Sequence, residues 1–535
     1  MSIILVRWGK FVEREILMNR KLLLFGFFLL TATLCLFGRG RNQDSVDRSA
    51  WETVTAFSAF SPLPGISGIN TYADHLAWQA VERELLVNID FQTVPGGEWV
   101  RRLEILMASG DLPDFFLRIN PRLAEQYGRQ GVLMPLNNLI NTEIPNLRQI
   151  MNQHRSVAGA MTSAEGNIYF FPRLLIDPRL RHDSGIIIRE DWVRSLGLPM
   201  PSTTDQFYNV LKAFKEGNFN RGGNRNEAPF VGDYRFLIWA FGIGSRGINQ
   251  ENDFFVEDRQ LKYGPTDPRY RAALEYLHML YSDGLIENSS DETYMQKLVG
   301  ESAGATFGSW AGVLSPYNRL LEAEGKNPGF RGIIPLAGPT GERNSHGNHN
   351  ELDLDFGGAI SSTTSKIDTV ARIFDYLYST EGSVVMSFGI EGDTFILMNG
   401  EPRWTSKVLD SSLSFQNYRR AFISDVGTIP HQFNVMGYME NLTPFGIEAN
   451  RINAESSALN KKPPSLRFSE AELRELQTLE QQLNAFVDDN LDGFISGRQP
   501  LSQWNVFQQG LQQLGVIRLV ELYNTSFRRF LAASN

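Results

Sequence analysis

A single cysteine, Cys35, stands in 535 residues, so neither an internal disulfide framework nor a thiolate zinc cluster can form. Positive charge is in deficit: 51 Lys and Arg against 60 Asp and Glu give a net −9. That balance argues against a nucleic-acid partner, whose phosphates demand clustered cations. Internal repeats and low-complexity tracts are missing. After residue 37 no apolar run approaches the roughly 20 residues of a membrane span. There is no Gly-x-Ser-x-Gly elbow, no Walker loop and no His-Glu-x-x-His pair. Carboxylate pairs such as Glu190 with Asp191, or Asp353 with Asp355, are what a glycosidase needs, but 60 acids supply such neighbours by chance.

What is present starts with Met18 to Phe37. Asn19, Arg20 and Lys21 give a positive start, and Leu22 to Leu36 is almost unbroken hydrocarbon. A basic flank before a short apolar run predicts an export signal over residues 1–37, with Met18 as an alternative start to Met1. The chain is therefore expected to work outside the cytoplasm, in the periplasm or on the outer face of the membrane. Leu34 is bulkier than the small residue a lipoprotein peptidase closes around. Lipidation at Cys35, plain cleavage and a retained apolar anchor all stay open.

Residues 38–50 are polar and glycine-bearing, and read as a flexible tether. From Trp51 the pattern alternates. Residues 52–60 read as a half-buried strand, and Ala73 to Leu86 as a helix with Leu76, Ala80, Val81 and Leu85 at helical spacing. Val87 to Phe91 is a second strand, and Trp99 to Ser109 a helix closed by Gly110. Strand, helix, strand, helix predicts parallel α/β organisation. Further strands are expected at Ile168 to Pro172, Gly185 to Ile188 and Gly304 to Ala311, with helices from Thr203 and from Pro268 to Asp283. Ser469 and Glu472 form a capping-box pattern ahead of a carboxyl-terminal helix carrying Leu473, Leu476, Leu479, Leu483 and Phe486.

Four blocks resemble the extracellular solute-binding proteins, family 1, of carbohydrate ABC importers, most closely their long lipoprotein branch. ILMASGDLPD from Ile105 is similar to the family's SGdlPD turn. IIIREDWVRSLGLPMPSTTDQFYNVLKAF from Ile186 is similar to its iRkDW…LGL…Tl segment. IFDYLYSTEGSVVMSFGIEGDTFILMNGEPRW from Ile373 is similar to its GiEGe.Yt block, and Phe486 to Gly515 to its ending. The blocks occur in family order. The resemblance implies an α/β, two-lobe, periplasmic-binding-protein-like fold (type II) with hinge-crossing strands and a helical carboxyl-terminal part. Residues 51–170 and 303–383 would form lobe 1, and 171–302 and 384–535 lobe 2. It further implies capture of a carbohydrate, an oligosaccharide above all, and delivery to ABC permease subunits and their ATPase, by a monomer without catalysis. A solute sensor and an exported polysaccharide-degrading enzyme are the rival readings.

Sugars present apolar C–H faces and rings of hydroxyls, which suit aromatic planes, amides, carboxylates and arginines. Trp239, Trp310 and Trp404 lie in glycine-flanked contexts and are candidate ligand contacts, with core packing as the alternative for each. Phe395 stands where the family carries tyrosine, so a hydroxyl is lost there. Tyr169 and Arg173 flank the implied crossing strand, and Asp355 precedes Phe356-Gly-Gly. Lys215 to Pro229 aligns with a calcium loop of this branch. Its candidate ligands here are Asn218, Asn220, Gly222, Asn224, Asn226 and Glu227, of which only Glu227 is charged. Calcium wants six to eight oxygens, mostly carboxylate, so these residues favour an Asx turn, and no other cofactor is expected. His346 and His349 sit three apart in a Gly/Asn loop, a poor frame for zinc.

Overall fold

The computed structural model describes residues 48–535 except 218, 220–227, 245, 247–251, 288–295, 299, 301, 345–350, 414, 425–428 and 457–460. Residues 48–51 belong to a separate amino-terminal unit, and everything below concerns the unit Glu52–Asn535.

The first strands are β1 (Glu52–Ala59), β2 (Val87–Val94), β3 (Phe115–Ile119), β4 (Phe171–Leu174) and β5 (Ser184–Arg189). Next come β6 (Ala228–Val231), β7 (Phe254–Glu257), β8 (Gln260–Tyr263), β9 (Ile286–Glu287) and β10 (Ala303–Ser309). The last are β11 (Phe330–Gly332), β12 (Leu352–Ile360), β13 (Phe395–Met398) and β14 (Glu401–Trp404). Ten of them build two five-stranded sheets, ordered β2-β1-β3-β12-β4 and β11-β5-β10-β6-β9. The other four form the hairpins β7–β8 and β13–β14.

Local chemistry explains the elements. Val54, Ala56 and Phe57 to Ala59 of β1 are buried, and its full length pairs in parallel with β2. Helix α1 (Leu76–Leu85) buries Ala77, Trp78 and Val81. Helix α2 (Trp99–Ser109) buries Trp99, Leu103 and Met107 on one stripe, and Gly110 ends it in the left-handed region at φ 75°, where a side chain is disfavoured. Asn120 caps helix α3 (Pro121–Arg129), and helix α4 (Arg155–Met161) follows. Thr203 caps helix α5 (Thr204–Glu216) through Gln206 N, and Gln206 Oε1 accepts from Ser202 N, one residue before the expected box partner. Asp267 caps helix α6 (Pro268–Ser282).

Helices α7 (Ile367–Leu377) and α8 (Thr380–Phe388) cover the first sheet, and α9 (Pro444–Ser456) covers the end of the second. Helices α10 (Glu470–Ser496), α11 (Trp504–Gln513) and α12 (Val516–Ala533) form the carboxyl-terminal part. The Ser469 capping box is present in full. Leu476, Leu483 and Val487 form the buried line of α10, while Leu473, Leu479 and Phe486 sit at its flanks. No helix among the described residues is long and apolar enough to cross a membrane.

Each sheet carries its own core, one around Phe115, Phe171 and Phe374, the other around Phe214, Phe230 and Phe307, and α10 to α12 pack into the second. The cores correct two expected boundaries. Strand β10 lies between β5 and β6 in the second sheet, so the return to the first comes at β12 and not at residue 303. The buried run 303–308 satisfies its backbone against β5 and β6, which leaves no strand for lobe 1 there. Residues 384–423 also stay with the first lobe: Met386, Phe388, Phe395, Trp404, Tyr418 and Ile423 all pack into its core.

Candidate ligand-binding cleft

Strand direction positions the site. β1, β2 and β3 run in parallel, and β12 opposes both β3 and β4, so β1 to β4 end along one edge. In the second sheet β6, β9, β10 and β11 run together and β5 opposes them, so Ser184 at the start of β5 faces Ser309 at the end of β10. Residues 175–183 therefore join the carboxyl edge of one sheet to that of the other. A second segment, 333–351, runs from the end of β11 to the start of β12. The third comes from the 430s: Leu174 N donates to His431 O at 2.8 Å and Phe433 N to Leu174 O at 2.9 Å, after which α9 reaches Trp310 and Gly332. Open α/β sheets bind ligands outside their carboxyl edges, and here both edges meet at one set of crossings.

Several side chains line these edges. After β1, Ser61, Leu63, Ile66 and Ile69 form a shallow pocket with Arg420 and Ala421. At the end of β4, Arg173 pairs with Asp353 of β12, its cross-strand neighbour, and its guanidinium lies 5.8 Å from the Phe433 ring. After β6, Asp233 and Arg235 form a two-point ion pair at 2.7 Å. Tyr438 of the third crossing points its hydroxyl at Asp183 O of the first, 3.5 Å away. Two histidines in the crossings are held neutral. Burial, then Arg181, pulls His182 down to about 4. Burial pulls His431 down to about 3, aided by Arg173 and Arg419, while Nδ1 makes a 2.8 Å bond with Ile429 O.

The aromatic candidates lie elsewhere than expected. Trp310 is 0% exposed and sits beneath the edge, with Nε1 donating to His182 O and its ring against Gly185 and Gly332, where a Cβ would meet it at 2.6 and 3.0 Å. Trp239 is buried in the second core, and its carbonyl accepts from Asn344. Phe395 and Trp404 are register partners in the β13–β14 hairpin, and their rings lie 5.7 and 4.4 Å from Phe388. Tyr169 packs on Gly128 in the first core. All five rings are buried, and Trp239, Trp310 and Trp404 belong to three separate hydrophobic clusters. Of the predicted residues whose side chains are described, Arg173 alone stands half-buried at the edge. The side chain of Asp355, the loop 220–227 with Asn218, and Cys35 lie outside the described residues. Among the described residues no group of three or more His, Cys, Asp or Glu gathers to hold a metal.

Sequence reading missed the third crossing. Its residues, His431, Phe433 and Tyr438, carry no period, and the one available signal was an Ile-Pro-His-Gln-Phe run between helical stretches.

Two α/β lobes that turn their carboxyl edges toward shared crossing segments have the architecture of a two-lobed binding protein. The chain belongs to the family of bacterial extracellular solute-binding proteins, whose model matches residues 79–384, more than half of the sequence. Among curated relatives it is similar to the fructooligosaccharide ABC transporter substrate-binding protein FusA of Streptococcus pneumoniae, 27% identical over 334 residues, 60% of each chain. The chain spans 60–64% of the length of the curated relatives it matches. Among solved structures it is similar to an extracellular solute-binding protein from Bifidobacterium longum subsp. infantis, at TM-score 0.72 and 18% identity over 90% of this chain and 98% of that one. FusA in complex with kestose gives TM-score 0.67 and 22% identity over 90% and 100%. At these identities the likeness shows the fold.

Proposed function

We propose that this chain is the exported substrate-binding component of an ABC importer, which captures an oligosaccharide between its lobes and delivers it to membrane permease subunits driven by an ATPase. The observation that carries the reading is the meeting of both carboxyl edges at three crossing segments, in a member of a solute-binding family. Rotation about such crossings encloses a solute, so binding and closure share one equilibrium. The ligand class of the relative FusA, fructooligosaccharides, supports a carbohydrate. The carboxylates Asp233 and Asp353 at the edges are each engaged by an arginine, which supports binding without bond cleavage. The proposed contacts are Ser61, Arg420, Arg173, Asp353, Asp233 and Tyr438, with no cofactor, in a monomer working outside the cytoplasm. Thermal-shift screening with oligosaccharides tests it. One sugar class raises the unfolding midpoint and is recovered intact; no shift with any class, or turnover, contradicts it.

A further inference from the structure

We propose that Arg467 is a positioning residue that ties the two lobes together away from the crossing segments and so fixes the axis about which they turn. The inference rests on the two-lobe closure proposed above.

Its neighbours Leu466 and Phe468 pack into the second core, with the Phe468 ring 5.2 Å from Tyr523 of α12. The Arg467 carbonyl accepts from Ser526 Oγ at 2.5 Å and from Arg529 Nη2 at 3.1 Å, and Arg529 is paired with Glu472 of α10. The backbone is thus pinned to the second lobe. The side chain leaves it. Nε donates to Ala160 O of α4 at 2.8 Å, the guanidinium lies 4.8 Å from the Phe170 ring, and it stands 3.5 Å from Glu125 Oε1 of α3. All three belong to the first lobe.

The pair is shielded from water: the side chains of Arg467 and Glu125 are 11% and 7% exposed. Glu125 also faces Arg129 at 3.3 Å, which faces Glu165 at 3.3 Å. Burial pushes the Glu125 carboxyl above its usual range, against the pull of Arg467 and then Arg129. A second contact lies beside the first. Helix α12 rests on Gly159 of α4, where an added Cβ would come within 2.2 Å of Ser534 Oγ and 2.9 Å of Phe530 O.

A hydrogen bond weakens steeply once stretched beyond its normal range, and separating a buried ion pair strands two charges. A large displacement at this point is therefore unfavourable. Phe170 stands at the amino end of β4 and the first crossing leaves its carboxyl end, so the crossings and this tie are two attachments on opposite ends of that strand, and rotation about a line through both is the remaining easy motion. The lobes then open and shut without twisting.

Single-molecule energy transfer on solute-free protein tests this, with dyes at the exposed positions Val100 and Val506, one on each lobe. Arg467→Gln and, independently, Gly159→Ala should broaden the interlobe distance distribution. Arg467→Lys, which keeps the charge on Glu125, should restore most of its width. If Arg467→Gln fails to fold, Gly159→Ala and Arg467→Lys decide. A width equal to wild type in folded Arg467→Gln or Gly159→Ala overturns the proposal. The readout needs no solute. A changed width in a protein that binds no sugar sinks the carbohydrate reading alone, and sugar binding with an unchanged width sinks the tie alone.

Discussion

Trp310 Nε1 donates to the carbonyl of His182 at 2.6 Å, and the Trp310 main-chain N–H donates to Asp183 O at 2.8 Å. These two bonds fasten the end of β10 to the first crossing segment, and the indole fills the space left by Gly185 and Gly332. Trp310→Ala should therefore destabilise the fold by about 3–5 kcal/mol, as large aromatic deletions in cores do. Trp310→Phe should cost less, about 1 kcal/mol for the lost hydrogen bond plus some packing, because His182 O keeps a 2.9 Å bond from Asn450. Urea denaturation of the solute-free protein measures both. A loss below about 1 kcal/mol for the alanine variant would mean that the ring is not core.

The neutral histidines predict acid sensitivity. Both folded-state values lie below the ordinary 6.5, at about 4 for His182 and about 3 for His431. Their contribution is complete above pH 6.5, where folded and unfolded imidazoles are both neutral. As pH falls, the unfolded imidazole takes up its proton first, and stability drains away down to the folded values. Each histidine drains at most about 1.4 kcal/mol per pH unit. His431→Gln should remove its share, so between pH 6 and pH 4 the variant should lose roughly 2–3 kcal/mol less than wild type. Parallel slopes for the two proteins would contradict the assignment.

Arg173 and Asp353 pair across β4 and β12 with side chains 19% and 14% exposed. Asp353→Ala leaves the guanidinium half-buried beside Phe433 and should cost about 1.5–3 kcal/mol, the range for a hydrogen bond to a charged group. Asp353→Asn should cost less, since the amide oxygen still accepts. Calorimetric unfolding separates the two variants. Because both residues are proposed solute contacts, affinity should fall in each.

How much of this was legible depended on the range of the forces involved. Periodicity and capping are local, so α2 with its Gly110 cap and the Ser469 box stand where the sequence puts them. Strand partnership is not local. Residues 304–311 read as a strand, but nothing in them says that β5 and β6 are its neighbours, and the lobe boundary moved accordingly. The tryptophans failed for a related reason. Glycines around Trp310 suggested a loop, whereas Gly185 and Gly332, far away in sequence, make room for the buried ring. A flanking glycine can open a surface or admit a neighbour, and only tertiary contacts distinguish the two.

Among the candidate ligands of the loop 215–229 only Glu227 is a carboxylate, against the several that a dication requires. Prolonged treatment with EDTA should leave the unfolding midpoint within about 1 °C, because a structural ion at 100 times its dissociation constant contributes about 2.7 kcal/mol and its loss would be seen. A drop of several degrees, reversed by calcium and by no other divalent ion, would assign the loop a metal after all.

The most direct measurement is isothermal titration calorimetry of the mature chain against intact oligosaccharides, kestose among them, with chromatography of the sugar afterwards. The account predicts saturable one-to-one binding of one saccharide class at micromolar concentration and full recovery of that saccharide unchanged. Shortened products in the chromatogram, or flat titrations across every class, would contradict it.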